Sequence, residues 1–227
     1  MSTAHTAASE TATGGPAAES LAAGIAALGL DVPAQTQSRL LAWLDLLSRW
    51  NRTYHLTAIR AQDAMITHHL LDALAILPVL ETTVVAGRRT LLLGDVGSGA
   101  GVPAIPLALA RPEWSVLSVE SVAKKAAFQR QAKIELKISN LDVREARVET
   151  VDQSCDMVLS RAFASLADFV RLAGHLAAPG GCLCAMKAHL SDEESAALPT
   201  PWHIAARLPC VVPGLPARRE LVVLKRD

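Results

Sequence analysis

Residues 90–101 read Thr-Leu-Leu-Leu-Gly-Asp-Val-Gly-Ser-Gly-Ala-Gly, and an apolar helical pattern begins just beyond them, around Pro103. This order predicts a strand, a tight turn built on alternating glycines, and a helix. Glycine tolerates positive φ and lets backbone N–H groups approach a ligand closely. The helix N-terminus behind the turn adds unpaired donors and a partial positive charge. The stretch therefore indicates a site for a nucleotide-like ligand, although an ordinary glycine-rich strand–helix turn would show the same short pattern.

The spacing of the glycines narrows the choice of ligand. The dinucleotide fingerprint Gly-x-Gly-x-x-Gly would need its third glycine at position 102, which is Val102. Here the glycines are Gly97, Gly99 and Gly101, and Asp95 precedes them. This Asp-x-Gly-x-Gly-x-Gly pattern resembles motif I of the S-adenosylmethionine (SAM) methyltransferases. In that family the acid helps to hold the amino-acid end of SAM, directly or through water, while the glycines leave room for it.

An alternation of strand and helix patterns continues to the end of the chain. We predict helices at 103–110, 122–136 and 166–176. We predict strands at 90–93, 115–119, 141–144, 156–160 and 182–186, followed by an antiparallel pair at 203–208 and 221–224. Such alternation implies right-handed crossovers and a mostly parallel sheet. We therefore predict an α/β fold with a seven-stranded, mostly parallel sheet and an N-terminal helical extension. Together with the resemblance to motif I, this implies a Rossmann-like class I SAM-dependent methyltransferase.

The region before the glycine turn reads as helical. We expect a disordered tail at 1–17, a helical segment at 18–85 and the methyltransferase domain at 86–227. Within the helical segment, Ser20 is a candidate cap for a short helix ending near Gly29. An amphipathic helix follows Pro33, and a further helix runs from about Asp63 to Leu77, where Pro78 limits it. The tail lacks the basic start and the continuous apolar core of a secretory signal.

Composition excludes some classes of protein. Among 227 residues, 22 basic side chains balance 22 acidic ones, which argues against coating nucleic acid by bulk charge. The four cysteines (Cys155, Cys182, Cys184 and Cys210) have no zinc-site spacing, so we expect buried free thiols in a reducing, cytoplasmic setting. His68 and Asp72 lie on one face of a predicted helix and could both bind a metal ion, but no third ligand is apparent in the sequence. We therefore predict no metal site. We also expect no membrane-spanning segment, because no stretch of about 20 uninterrupted apolar residues occurs.

Glu120 ends the second predicted strand, 19 residues after Gly101. A carboxylate there can accept both ribose hydroxyls of a nucleoside through its two oxygens. The alternative is a solvated residue at the start of the following helix. The neighbouring Ser121 is a candidate cap for that helix.

A local excess of basic residues follows Glu120. Residues 121–147 contain seven basic side chains and three acidic ones, and the seven are Lys124, Lys125, Arg130, Lys133, Lys137, Arg144 and Arg147. This excess either forms the solvated face of a helix or contacts phosphates beside the ligand pocket.

Three further segments resemble the bacterial small-subunit (16S) rRNA guanine-N7 methyltransferases, the glucose-inhibited division protein B family. They are Trp-Asn-Arg-Thr-Tyr-His-Leu-Thr at 50–57 with His-Leu-Leu-Asp at 69–72, the glycine segment extended to 95–107, and Leu-Ser-Arg-Ala-Phe-Ala-Ser-Leu at 159–166. The resemblance covers about residues 20–226. The family usually has Asn at the position of His55, Ser at that of Ala73, and Gly at those of Ala104 and Ala188.

The resemblance implies SAM as the methyl donor and 16S rRNA or the small ribosomal subunit as the partner. It implies cofactor contacts from Asp95, Gly97, Gly99, Gly101, Val102, Glu120, Ser121, Val148, Glu149 and Arg161. It further implies substrate positioning by Arg161 and Lys187, and RNA contacts from Arg52, Lys124, Lys125 and Arg130. Arg161 also has a physical argument of its own, because a guanidinium at the carboxyl edge of the sheet can bind a carboxylate or guanine acceptors. Its alternative role is a salt bridge that supports the fold.

Guanine N7 has a free lone pair and carries no proton, so the predicted reaction needs no general base. Positioning and electrostatics would carry the catalysis. Three other functions stay open from the sequence: a methyltransferase acting on a small molecule, a non-catalytic RNA-binding assembly factor, and a nicotinamide oxidoreductase. Val102 argues against the last. Cys210 could mimic a catalytic nucleophile, but its place in the last strand connection favours a buried thiol. We expect the protein to act as a monomer.

Overall fold

The glycine turn lies at the centre of a seven-stranded sheet. The computed structural model describes residues 15–85, 90–161, 163 and 165–227. Its strands are β1 (Leu92–Val96), β2 (Ser115–Glu120), β3 (Leu141–Glu145), β4 (Cys155–Ser160), β5 (Ala177–Lys187), β6 (Trp202–Cys210) and β7 (Arg219–Arg226). The spatial order is β3-β2-β1-β4-β5-β7-β6. Strands β1 to β5 pair in parallel, and β7 pairs antiparallel with β5 and β6. The predicted seven-stranded α/β fold is confirmed.

Helices precede the sheet and connect its strands. They are α1 (Pro16–Ala27), α2 (Ala34–Tyr54), α3 (Gln62–Met65), α4 (Asp72–Leu74), α5 (Leu77–Val79), α6 (Ala104–Ala110), α7 (Ala123–Glu135), α8 (Leu166–Ala173) and α9 (Asp192–Ala196). Wider, π-helical turns at Ile66–Leu71 and Leu80–Val85 follow α3 and α5. Short 3-10 turns cover Val148–Thr150 and Gly174–Leu176.

The apolar core occupies both faces of the sheet. On one face the N-terminal helices pack together with α6 and α7, and Trp43 and Phe128 are fully buried there. On the other face α8 supplies Leu166 and Phe169. The helical extension thus shares a core with the sheet, because its apolar side chains cover strands that would otherwise be exposed to water.

Two N-terminal predictions are wrong in detail. Helix α1 begins at Pro16, inside the expected tail, so Ser20 lies within the helix and caps nothing. Proline suits the first helical turn because its missing N–H would have no helical partner there. The remainder of the predicted tail, and residues 86–89 at the expected domain boundary, lie outside the described residues.

Pro78 does not end the third helical region. The chain turns at residues 75 and 76, and Pro78 then lies in the first turn of α5. By length and apolar composition alone the helical stretch Gln62–Val84 could cross a membrane, but 67% of its most apolar window is buried within the protein. Packing in the core therefore accounts for its apolar character.

His69 is a buried polar residue in this helical stretch. Its Nε2 lies 3.1 Å from Thr57 Oγ1, and its ring meets the Trp43 ring edge-on at 6.5 Å. Burial, with a smaller contribution from the charge of Arg161, lowers the pKa of His69 from 6.5 to about 4. The imidazole is therefore neutral in the folded protein at neutral pH.

We expect this histidine to make the fold sensitive to acid. The unfolded chain takes up the proton near pH 6.5 and the folded chain only near pH 4, so stability is lost as the pH falls through this window. Between about pH 7.5 and about pH 5 the loss from His69 should be about 2 kcal/mol. Urea unfolding at both pH values should show that loss in the wild type and not in His69→Gln. His203→Gln, at an exposed position, is the control, and equal losses in all three proteins would contradict the assignment.

Candidate functional site

The turn after β1 has the backbone that its glycines predict. Gly97, Gly99 and Gly101 have φ of 71°, 59° and 85°. A Cβ on Gly101 would lie 2.5 Å from Ile105 Cδ1, whereas one on Gly99 would meet no atom within 4 Å. Gly101 thus allows the turn to close onto α6, and the space beside Gly99 stays open for a ligand.

A buried polar cluster that sequence reasoning missed holds this turn. The Gln129 side-chain nitrogen donates to Gly99 O and Ser98 Oγ, each at 2.8 Å, and Ser118 Oγ lies 2.7 Å from Ser98 Oγ. All three side chains are almost fully buried. The available signal was a glutamine among the apolar residues on the inner face of α7. The cluster ties the turn to β2 and α7, which fixes the turn before any ligand arrives.

Asp95 lies at the carboxyl end of β1 and is 1% exposed. Its Oδ2 accepts a hydrogen bond of 3.0 Å from the Ala104 N–H at the start of α6. Burial raises the pKa of Asp95 to about 7; the bond from Ala104 and the charge of Arg161 act against this rise, and Glu120 adds to it. A cation placed beside this carboxylate would favour its charged form.

Glu120 ends β2 and is 5% exposed. One carboxylate oxygen accepts from Gly99 N at 2.7 Å and the other from Val122 N at 2.8 Å. An ionised carboxylate has about four acceptor sites, so two remain. Glu120 is therefore not a solvated residue, and it retains acceptor capacity for two hydroxyl groups.

The prediction that Ser121 caps the next helix is wrong. The residue preceding α7 is Val122, and no side chain caps the helix. Ser121 precedes the N-cap position by one residue, and its side chain is exposed and accepts no hydrogen bond from the first turn of α7. Its contact with the ribose side of a ligand remains a prediction.

The other predicted cofactor residues lie around the same edge. Val102 is buried at the start of α6. Half-buried Val148 and exposed Glu149 form the 3-10 turn after β3, whose end pairs with Glu120 in register. The structure thus brings these residues beside Glu120, and their contacts with a ligand remain predictions.

Arg161 follows β4 and takes part in an ionic network. Its Nη1 donates to Asp72 Oδ2 and to His68 O, each at 3.0 Å, while Arg219 Nε donates to Asp72 Oδ1 at 3.0 Å. The Asp72 side chain is 5% exposed and that of Arg161 is 32% exposed. The expected salt bridge therefore exists. The remaining guanidinium donors of Arg161 have no partner among the described residues, so they can bind a ligand. Asp72 as its partner, and Arg219, were missed because they lie far from Arg161 in sequence.

Lys187, at the end of β5, is also paired. Its Nζ lies 2.8 Å from Glu194 Oε1 and 3.3 Å from Phe163 O, and the side chain is 12% exposed. Glu194 Oε1 also accepts from the Leu166 N–H at 2.8 Å. These contacts join β5, α8 and α9 beside the carboxyl edge of the sheet.

The predicted RNA-binding cations are distributed over α2 and α7. Lys124 Nζ donates to Tyr54 O at 2.8 Å, which links the start of α7 to the end of α2. Arg130 pairs with Glu145 at 2.9 Å, and Arg52 is exposed. Lys125 lies in the first turns of α7. Part of the basic excess therefore forms ion pairs within the protein, and RNA binding by these residues remains a prediction.

Among the described residues no group of three His, Cys, Asp or Glu side chains could hold a metal ion. The four cysteines are free and buried, as predicted. Cys182 Sγ and Cys184 Sγ lie 3.8 Å apart on β5. Burial raises the pKa of Cys210 to about 11, which makes that thiol a poor nucleophile near neutral pH.

Comparison of the sequence with known proteins finds a matching family and relatives over most of the chain. Residues 36–222 match the family model described as rRNA small subunit methyltransferase G. The chain is 55% identical over 213 residues to ribosomal RNA small subunit methyltransferase G of Azoarcus sp. (strain BH72), covering 93% of this chain and 97% of that protein. It is 50% identical over 218 residues to the protein of that name from Nitrosospira multiformis, covering 92% and 97%.

Comparison of structures agrees on the fold. TrmN from Thermus thermophilus superposes with a TM-score of 0.55 at 18% identity, over 71% of this chain and 53% of that one. Ribosomal protein L11 methylase from Lactobacillus delbrueckii subsp. bulgaricus gives 0.51 at 18% identity, over 69% and 77%. At these identities the likeness extends to the fold alone.

Proposed function

Because this chain belongs to the rRNA small subunit methyltransferase G family, we propose that it transfers a methyl group from SAM to N7 of a guanine in small-subunit (16S) ribosomal RNA. The observation that carries the proposal is the grouping of Asp95, Glu120 and the glycine turn at one edge of the sheet, within a chain that shares half its residues with enzymes of this name. Ligands of such sheets bind beyond the carboxyl ends of the strands.

The residues at this edge fit SAM. The Asp95 carboxylate uses one oxygen for Ala104 and, within the described residues, has no hydrogen-bond partner on the other, so it can face an ammonium group. Glu120 keeps two acceptor sites for the ribose hydroxyls. The open space beside Gly99 admits a ligand close to the backbone. SAM supplies a methyl group on a sulfonium, which is electrophilic without further activation.

The protein's part in the reaction is to position the guanine. N7 offers its lone pair in line with the methyl group and loses no proton, so no side chain has to act as a base. Guanine presents O6 and N7 as acceptors, and the free donors of Arg161 can bind O6 while Asp72 holds the guanidinium in place. Lys187 lies at the same edge, where its ion pair with Glu194 holds it in place, and it can help to position the substrate. Orientation and electrostatics thus supply the rate enhancement.

We propose that the protein acts in the cytoplasm, in keeping with a ribosomal RNA substrate, and that it works as a monomer. The large hydrophobic side chains that are exposed within the described residues are Tyr54, Val122, Ile134 and Val211. They are spread over the end of α2, the two ends of α7 and the residue after β6, and this distribution over separate elements supports a monomer.

A methyl-transfer assay tests the proposed function. The protein is incubated with labelled SAM and unmodified 16S rRNA or small subunits, and the labelled position is mapped. We expect one methylated guanine at N7, and activity that falls steeply in Arg161→Ala. No transfer to any form of the rRNA would refute the proposal, and transfer to a metabolite instead would favour the small-molecule alternative.

Cys210→Ser should leave methylation within about twofold of wild type. Cys210 is buried and its thiol stays protonated near neutral pH. Among the described residues its Sγ donates to Leu208 O at 3.6 Å, a bond that a serine hydroxyl can replace. The initial rate of methyl transfer is the measurement, with unfolding followed by circular dichroism as the control. A folded variant without turnover would show that the thiol takes part in the chemistry.

A further inference from the structure

A second pocket lies beside the proposed SAM site, at the end of α2. It is a cavity of about 280 Å³ lined by Ser48, Asn51, Arg52, His55, Arg60 and Met65. None of these six residues is acidic, and five of them carry hydrogen-bond donors. Within the described residues neither Arg52 nor Arg60 forms an ion pair. The pocket is therefore built to receive an anion.

Asn51 gives this pocket a fixed polar wall. It is 6% exposed, and its side-chain oxygen accepts from the Thr57 N–H at 2.9 Å. This bond orients the amide, whose nitrogen has no partner among the described residues. Among the described residues the fully buried side-chain atoms without a partner are Trp43 Nε1 and His69 Nδ1. The Asn51 nitrogen is not one of them, so it has access to the pocket and can donate to water or to a bound acceptor there.

The end of a helix ordinarily repels anions, because its last carbonyl groups carry partial negative charge. Here two of those carbonyls have donors. Lys124 Nζ donates to Tyr54 O at 2.8 Å, and the His55 N–H donates to Asn51 O at 3.2 Å. Arg52 adds a positive charge in the last turn of α2. The donors to these carbonyls and the charge of Arg52 therefore outweigh the partial negative charge of the helix end, and the pocket favours an anion.

The pocket and the proposed SAM site share one end of the molecule. Lys124 connects the end of α2 to the start of α7, two residues beyond Val122 and its bond to Glu120. On the other side, Thr57 Oγ1 lies 3.1 Å from His69 Nε2, and the adjacent His68 O accepts from Arg161. A polymer that delivers a guanine to Arg161 therefore passes close to the pocket.

Tyr54 adds a second feature that favours RNA over a free anion. Its side chain is 43% exposed, and its ring lies 5.1 Å from that of Trp50, which in turn contacts buried Phe128. The ring is thus supported from behind and open in front. An exposed aromatic ring beside a basic pocket is the usual arrangement for binding single-stranded nucleic acid.

We propose that this pocket binds a backbone phosphate of the substrate RNA through Arg52, Arg60 and Asn51, while Tyr54 stacks a neighbouring base. The inference rests on the proposed function and adds to it the path of the RNA on the N-terminal side of the site. Arg52 was expected from the sequence to contact RNA. Asn51 and Arg60 were identified from the pocket, and Tyr54 from its exposed ring.

The test measures RNA binding against salt. Binding of unmodified 16S rRNA is followed in phosphate-free buffer for wild type and Arg52→Gln/Arg60→Gln. The loss of two phosphate contacts should reduce the slope of log affinity against log salt by about 1.4, since each contact to a single strand contributes about 0.7. SAM affinity should not change. Arg49→Gln/Arg207→Gln removes the same charge from exposed arginines that pair with Glu135 and Glu220, and it should keep the wild-type slope.

Two further measurements separate the possible outcomes. Tyr54→Ala should weaken RNA binding about tenfold and Tyr54→Phe should not, because stacking needs only the ring. Inorganic phosphate is titrated alone to test for a free-anion site. An unchanged salt slope in Arg52→Gln/Arg60→Gln overturns the inference, as does phosphate binding that these substitutions abolish without affecting RNA. If wild type methylates no rRNA, the proposed function fails. If wild type methylates rRNA but Arg52→Gln/Arg60→Gln keeps the wild-type salt slope, the pocket assignment alone fails.

Discussion

Asp72→Ala is expected to lower the free energy of unfolding by about 3 kcal/mol, the lower end of the range for breaking a buried ion pair. Asp72 is buried and accepts from Arg161 and Arg219 at 3.0 Å each. Without it two guanidinium groups face each other with no carboxylate between them. Both arginines are partly exposed, and their access to water places the loss at that lower end.

Urea unfolding measures this loss. The matched control is Asp142→Ala, which removes a carboxylate from an exposed pair with Arg144 and should cost less than about 1 kcal/mol. Asp72→Asn keeps the shape of the side chain and should reduce methyl transfer more than it reduces SAM affinity, because Arg161 loses its ionic partner. Equal stability of Asp72→Ala and the control would show that the network contributes nothing to the fold.

Asp95→Asn is expected to weaken SAM binding by about 100-fold, the upper end of what a hydrogen bond to a charged group supplies. Asparagine retains an acceptor for the Ala104 N–H, so the turn should still fold. The variant loses only the negative charge that, in the proposed function, faces the ammonium group of SAM. Calorimetry at about pH 7.5 measures the change, and Asp142→Asn, on the outer strand β3, is the control.

The same carboxylate should make SAM binding depend on pH. Burial raises the pKa of Asp95 to about 7 in the free protein, so the carboxyl group is largely neutral below that value and charged above it. A cation prefers the charged form; affinity should therefore rise with pH, by about sixfold between pH 6 and pH 7.5 once the partial deprotonation of the ligand's own amino group is included. The α-amino group of the ligand titrates only near pH 8. Asp95→Asn should show no such rise, and a wild-type protein with a flat profile would place the ammonium group elsewhere.

Local patterns were sufficient for most elements of the sheet. Each predicted strand overlaps an observed one, because buried parallel strands read as short apolar runs and turn residues bound them. Errors occurred at helix ends. Ser20 and Ser121 have the right residue type for caps, yet α1 begins at Pro16, before Ser20, and α7 begins only after Val122, so neither serine lies at the N-cap position. Caps are decided by competition among neighbouring groups, which a single position does not reveal.

Some residues of the candidate site were predictable from the sequence and others were not. Asp95, the glycines and Glu120 were predictable because a strand–turn–helix unit places them within a few residues of a strand end. The partners of Arg161 were not, since Asp72 lies 89 residues away and Arg219 reaches it from across 147 residues. The phosphate pocket likewise combines one face of α2 with a loop and the next helix.

The sequence by itself determined the fold class, the glycine turn and the family, because each depends on residues that are close together along the chain. Only the tertiary structure decided how the charges are paired: Arg161 with Asp72, Lys187 with Glu194, and Arg52 and Arg60 with no acidic partner in the described part of the chain. The physical reason is that an ion pair depends on a few ångströms between side chains, and helix packing sets that distance between residues that the sequence separates widely.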